Sequence, residues 1–321
     1  MAGRSNSPQF FLNMQLKLRS WLLLIGALLA LLSNWIVVSD ADQFKLLIFS
    51  MILFGVPHGA LDLYIEAKTM RSSDIKGNTV LLKYLLNILA YALLWYFFPL
   101  VALIVFIIIT AYHFGEIDWM GKSDHLLHKI FYFMLGMCWI LYFLSVNVQS
   151  ALKIFLYVGE SSVSETQWIA AARLLSPITL AIIIIFHLLL FVYRKYFYFR
   201  SADYYYSVLQ LIVLLIICHY STLWIGFGFY FGLWHSILSF DKIRLNFNMP
   251  NSSESWMQLL KQAMPFSIMA WIGMLFIMFM FYNSKNATSL ITLLFITLSV
   301  LTLPHLQVFT KLKLNNSKSL R

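Results

Sequence analysis

Apolar runs of about 20 residues recur along this chain of 321 residues, and as α-helix a run of that length crosses the hydrocarbon core of a bilayer. With 61% hydrophobic and 11% charged residues, there is too little polar surface to cover a water-soluble core of this size. The expected fold class is all-α: a polytopic helical membrane protein, multi-pass, in the plasma or inner membrane of a cell. Ten spans are expected, at 20–39, 44–66, 79–98, 100–120, 130–149, 168–193, 204–221, 223–241, 262–282 and 288–310. Two joins are nearly fused, at Phe97-Phe98-Pro99 and at His219-Tyr220-Ser221-Thr222, where proline or polar residues permit a tight turn. The domain plan is a cytoplasmic segment at 1–19, one transmembrane helical domain at 20–310 and a basic cytoplasmic tail at 311–321. The basic start before Trp21 has no small-x-small cleavage pattern before Asn34-Trp35, so it is read as the approach to the first span. Cys138 and Cys218 both fall in apolar runs and behave as small buried hydrophobes, with no disulfide framework.

Short cytoplasmic segments are enriched in lysine and arginine, which tests the span count independently. Alternating sides across ten spans puts Arg4, Lys17, Arg19, Lys68, Arg71, Lys76, Lys122, Lys129, Arg194, Lys195 and Arg200 on the N-terminal side. Lys242, Arg244, Lys261, Lys311, Lys313, Lys318 and Arg321 join them, against only Lys45, Lys153 and Lys285 on the other side. Lys83 and Arg173 lie near span ends, where they can snorkel. Both termini are therefore expected in the cytoplasm. The formal net charge of +10 is explained by topology and attraction to anionic membrane lipid, and nucleic acid is excluded as a partner. Reporter fusions at Lys153 and Lys285 are expected to report the outer side; a cytoplasmic signal from either loop breaks the ten-span count.

Four histidines become informative under this topology. His58, His113, His235 and His305 stand in the strings GVPHGALD, AYHFGEID, YFGLWHS and LTLPHLQV, on spans two, four, eight and ten. All four spans run inward, and each histidine stands five to eight residues before its cytoplasmic end, a layer about 8 to 12 Å deep. An imidazole in hydrocarbon costs free energy unless it is bonded, so four at matched depth point to one shared intramembrane metal site. His187, in IIIIFHLLLF, is expected to be a satisfied core residue; His125 and His128 are expected to be solvated loop residues; His219 belongs to the opposite face.

Carboxylates flank two of the four. Asp62 stands four residues after His58, a spacing that puts both on one helical face and suits an acceptor for the imidazole N–H. Glu116 and Asp118 come after His113 near the membrane boundary, where support of the site and ordinary interfacial solvation are both open. Gly55, Gly59, Gly115, Gly226, Gly228 and Gly232 cluster around the same histidines and permit close helix approach or room for a ligand. Neutral imidazoles suit zinc, copper, iron or nickel. One histidine per helix disfavours paired heme sites, and a single HLLH pair falls short of the repeated clusters of membrane di-iron enzymes. A mononuclear site with open positions fits best.

In order and spacing, PHGALD, HFGEID, YFGLWHS and the late LPH are similar to the motifs of the bacteriorhodopsin-related protein-like (Brp/Blh) family of membrane beta-carotene dioxygenases, from about residue 50 to 310. The resemblance implies oxygen-dependent cleavage of beta-carotene at its central double bond to give two retinal molecules, with Fe(II) as cofactor. It makes His58, His113 and His235 the catalytic iron ligands. Family members usually carry a further histidine four residues after the Trp-His pair, and here that position is Ser239, so His305 is expected to complete the metal set. The implied partners are beta-carotene or a related carotenoid, dioxygen, membrane lipid and a rhodopsin receiving retinal. Tyr112, Phe114, Phe227, Phe229, Tyr230 and Trp234 stand near the histidines and offer polyene-lining surface, with none assigned as a substrate contact. Two other classes stay open: a catalytically silent relative that binds carotenoid or retinal, kept alive by Ser239, and a metal transporter, which should show a polar path across the whole bilayer.

Overall fold

The computed structural model describes residues 8–36, 38–69, 77–120, 125–152, 164–198, 200–281 and 287–319. Arg4, Arg71, Lys76, Lys122, Lys153, Lys285 and Arg321, on which part of the charge reading rests, lie outside them. Among the described residues there is no strand. In chain order the helices are α1 (Pro8–Trp35), α2 (Asp40–Ser50), α3 (Val56–Gly59), α4 (Asp62–Thr69), α5 (Gly77–Phe97), α6 (Pro99–Asp118) and α7 (Leu126–Val146). They continue as α8 (Glu165–Val192), α9 (Arg194–Phe197), α10 (Ser201–Tyr220), α11 (Leu223–Phe227), α12 (Ser236–Asn246), α13 (Ser253–Phe281) and α14 (Ala287–Ser319). Two π-helical segments, Met51–Gly55 and Gly228–His235, link α2 to α3 and α11 to α12.

Eight helical runs among the described residues are long and apolar enough to cross a membrane, and two shorter apolar helices, Leu81–Phe97 and Phe295–Thr310, fall where the third and tenth spans were expected. Whole rows of large apolar side chains stay exposed, among them Leu24, Leu28 and Leu31 on α1, Ile185 and Leu188 on α8, and Ile272 and Phe276 on α13. Water does not tolerate apolar surface on that scale, so lipid is the solvent of these faces. The near-fused joins are as tight as the sequence suggests. Phe98 leaves helical geometry at φ −141° and ψ 64°, and Pro99 restarts the helix at a position where its missing N–H costs nothing. Thr222 opens α11 as N-cap, its hydroxyl accepting from Ile225 N–H. Ser164 and Gln167 form a capping box at the start of α8.

By internal packing the chain divides into two compact units, Met1–His58 with Leu209–Lys261 and Gly59–Val208 with Gln262–Arg321. In the first, α2 packs on α11 and on the second π-helical segment, and the two π-helical segments pack on each other. Their approach depends on Gly232, where an added Cβ would stand 2.8 Å from Ser50 Cβ. Ser50 Oγ lies 3.0 Å from the carbonyl oxygens of both Leu47 and Gly228, tying α2 to that segment. Arg19 donates to Gln210 Oε1 at 2.7 Å and lies over the Trp234 ring, while the fully buried Arg244 is held by Asp241 and Met249 O.

In the second unit α6 packs on α7 and α7 on α8, while α14 packs on α4, α5 and α6. A core of Tyr91, Trp95, Ala102, Leu103 and Val300 ties α5, α6 and α14 together, with Tyr91 O–H donating to Ala102 O at 2.8 Å. α6 and α7 touch through a reciprocal glycine pair. A methyl at Gly115 would fall on the carbonyl oxygen of Tyr132, and one at Gly136 on that of Ala111. Backbone cannot yield as a side-chain tip can, so Gly115→Ala and Gly136→Ala are each expected to destabilise the protein by at least the ~1–3 kcal/mol of an overpacked core. A thermal-denaturation assay in detergent checks this; unchanged stability would show that α6 and α7 are not in backbone contact.

Candidate metal centre

The four histidines singled out by depth fall two to a unit, and all four are buried. In the first, His58 and His235 are 4% and 1% exposed, with ring centroids 5.2 Å apart and planes at 82°. Each follows or closes a π-helical segment: Met51–Gly55 closes with Val56 N–H bonded to Met51 O, three residues before His58 in α3, and Gly228–His235 ends on the histidine itself. A π-helical turn holds one extra residue, rotates the next residues relative to their positions in an unbroken α-helix, and recurs at functional positions. Phe231 lies near-parallel to His235 at 5.9 Å and 10°, and edge-on to His58 at 6.0 Å, so it fixes both rings. Phe227 continues the same near-parallel file at 5.5 Å. Ser236 donates to Phe231 O at 2.8 Å, five residues back, across the wide turn.

The second unit brings together His113 of α6, His305 of α14 and Asp62 of α4, all buried. His305 Nε2 stands 3.1 Å from His113 Nε2, and its Nδ1 stands 2.7 Å from Asp62 Oδ1. Tyr84 donates to the other carboxylate oxygen at 3.0 Å. The carboxylate accepts from Nδ1–H, which leaves the Nε2 lone pair aimed toward His113, the way a carboxylate orients a metal-binding imidazole. At metal–nitrogen lengths of about 2.0–2.1 Å, two imidazole nitrogens at right angles on one ion stand about 3 Å apart, which the His113–His305 separation matches. Buried imidazoles, His305 oriented by a carboxylate, fit a borderline transition metal such as iron(II). Phe309, fully buried, packs edge-on against His113 at 5.1 Å.

Several expectations need correction. Asp62 does not continue His58's helical face: residues 60 and 61 form a turn between α3 and α4, and Asp62 serves His305 and Tyr84. Counting four residues along a helix fails where the helix is interrupted. Glu116 and Asp118 are buried, so the solvated alternative falls for both. His128 is not a solvated loop residue. It is 1% exposed in the first turn of α7, packed against Phe197, Tyr196 and Trp119, whereas His125 just before it is exposed. His187 is the core residue expected, its Nδ1 2.9 Å from Ile183 O, and His219 is exposed at the end of α10.

The sequence alone did not single out Tyr84 and Phe231, which are recognisable only by their contacts. Nor did it single out Thr110, a buried hydroxyl one turn before His113 that, like Ser239, has no hydrogen-bond partner among the described residues.

A family model described as beta-carotene 15,15'-dioxygenase matches residues 49–313. A curated protein named beta-carotene 15,15'-dioxygenase, from an uncultured marine bacterium (66A03), is 35% identical over 80 residues. That match covers 24% of this chain and 28% of the relative's length. No solved structure matches.

Proposed function

This chain belongs to the beta-carotene 15,15'-dioxygenase family, and on that premise we propose that it cleaves beta-carotene at the central double bond to give two molecules of retinal. Adding both atoms of dioxygen across the cleaved C=C bond yields two aldehydes, a balanced reaction that needs no external reductant. From their matched depth in the sequence, we assign His58, His113, His235 and His305 to a single mononuclear iron(II) centre in the inner half of the membrane. The observation that carries this proposal is the Tyr84–Asp62–His305–His113 chain, because a buried carboxylate fixing an imidazole tautomer is what ligation needs and plain packing does not. Iron(II), when bound, supplies the redox-active position at which dioxygen becomes reactive toward an alkene.

The protein's own groups do the rest. His58, His113, His235 and His305 offer neutral nitrogens, and Asp62 and Tyr84 set the orientation of His305. Phe227, Phe231 and Phe309 provide apolar surface that excludes water from the histidines. Glu116 and Asp118, on the last turn of α6, are assigned to electrostatic support of the centre from its cytoplasmic side. Carotene dissolves in the bilayer and reaches the protein from lipid; the localisation proposed is the plasma or inner membrane, with a rhodopsin as one acceptor of retinal.

Ser239 favours one second reading, a relative that binds carotenoid or retinal without turnover, because a neutral hydroxyl is a poor iron ligand. Expression in a carotene-producing bacterium separates the two. Cleavage predicts bleaching with accumulation of retinal, whereas pigment retained on the purified protein without retinal supports the silent relative.

A further inference from the structure

We propose that the Ser239 hydroxyl is a catalytic hydrogen-bond donor to the diatomic oxygen ligand that binds beside His235. This rests on the iron centre proposed for the four histidines. Ser239 is fully buried in α12, and its Oγ has no hydrogen-bond partner among the described residues. Other buried serines among the described residues are satisfied locally: Ser221 donates to Ile217 O, Ser236 to Phe231 O, Ser267 to Ala263 O and Ser299 to Ile296 O. Leaving a buried hydroxyl unpaired is costly, so a helix that keeps one turned away from its own carbonyls keeps it for a partner that binds.

Position identifies that partner. The π-helical segment ends at His235 and regular α-helix runs from Ser236, so Ser239 stands one turn after His235 on the same face. A hydroxyl competes poorly with imidazole for a ferrous ion but is a good donor to an atom gaining negative charge. With iron(II) in place, dioxygen drawing charge from it would be such an acceptor, and the Ser239 hydroxyl would supply the hydrogen bond. An apolar residue of the same size would offer nothing there. The histidine usual in the family would fill the space with a ring.

Nitric oxide added to the iron(II)-loaded protein is the probe, read by the infrared N–O stretch and by affinity. Ser239→Ala is expected to keep its iron, shift the N–O stretch, bind nitric oxide about tenfold more weakly and raise the KM for dioxygen by a similar factor, the loss of one hydrogen bond to a charged acceptor. Ser239→Thr retains the hydroxyl and should keep the wild-type stretch. Identical stretch and affinity in Ser239→Ala would overturn the assignment. Loss of iron from Ser239→Ala would also overturn it, by placing the hydroxyl on the ion instead. A wild-type protein that takes up no iron at all would instead refute the iron centre on which the inference rests, and metal analysis before the gas is added tells these outcomes apart.

Discussion

Alanine at His58, His113 or His235 is expected to abolish both metal retention and carotene cleavage while the protein still inserts and folds. Each imidazole is buried and packed against aromatic rings that offer no ligand atom: His58 and His235 against Phe231, His113 against Phe309. A lost nitrogen ligand is therefore not made good by a neighbour. A packing histidine, by contrast, would cost mainly stability when truncated, a few kcal/mol from cavity formation, and leave the metal in place. Metal analysis of detergent-purified variants, with membrane yield as the folding control, separates the two. Any one variant that keeps its metal and cleaves carotene normally removes that residue from the centre.

His305 carries the second large effect, since it occupies the role that a histidine at Ser239 would fill in other family members. His305→Ala is expected to lose iron as severely as His235→Ala. Asp62→Asn should weaken metal binding by about 10- to 100-fold, the usual result of removing the carboxylate that orients a ligating imidazole. Asp62 meets His305 at 2.7 Å, so the amide substitution retains shape while removing the charge that holds the Nδ1 proton. Ser239→His is expected to leave metal binding intact or tighten it, and to restore part of the iron lost in His305→Ala. If Asp62→Asn keeps wild-type affinity, the carboxylate is a structural partner of Tyr84 and His305 only.

Apolar runs bounded by proline, serine or threonine made the helical membrane fold legible, because length and hydrophobicity alone dictate a span. The two short joins, at Phe98-Pro99 and before Thr222, were visible for the same reason. The histidines were legible because an imidazole is out of place in hydrocarbon. What the sequence hid was orientation. Periodicity assumes an unbroken α-helix, and the π-helical segments before His58 and up to His235, with the turn at 60–61, break that assumption where the site is built. That is why Asp62 was paired with the wrong histidine. His128 was misplaced for a different reason: it stands in a polar stretch, and only the packing of Trp119, Tyr196 and Phe197 around it accounts for its burial.

The iron-to-protein ratio of purified wild type, His235→Ala and His305→Ala, measured side by side after reconstitution with ferrous iron, tests four-histidine ligation most directly. A single ferrous ion per wild-type chain and near-complete loss from both variants is the predicted result. Full iron occupancy in His305→Ala would contradict it, and would mean that the centre runs on three histidines with water or an acid such as Asp62.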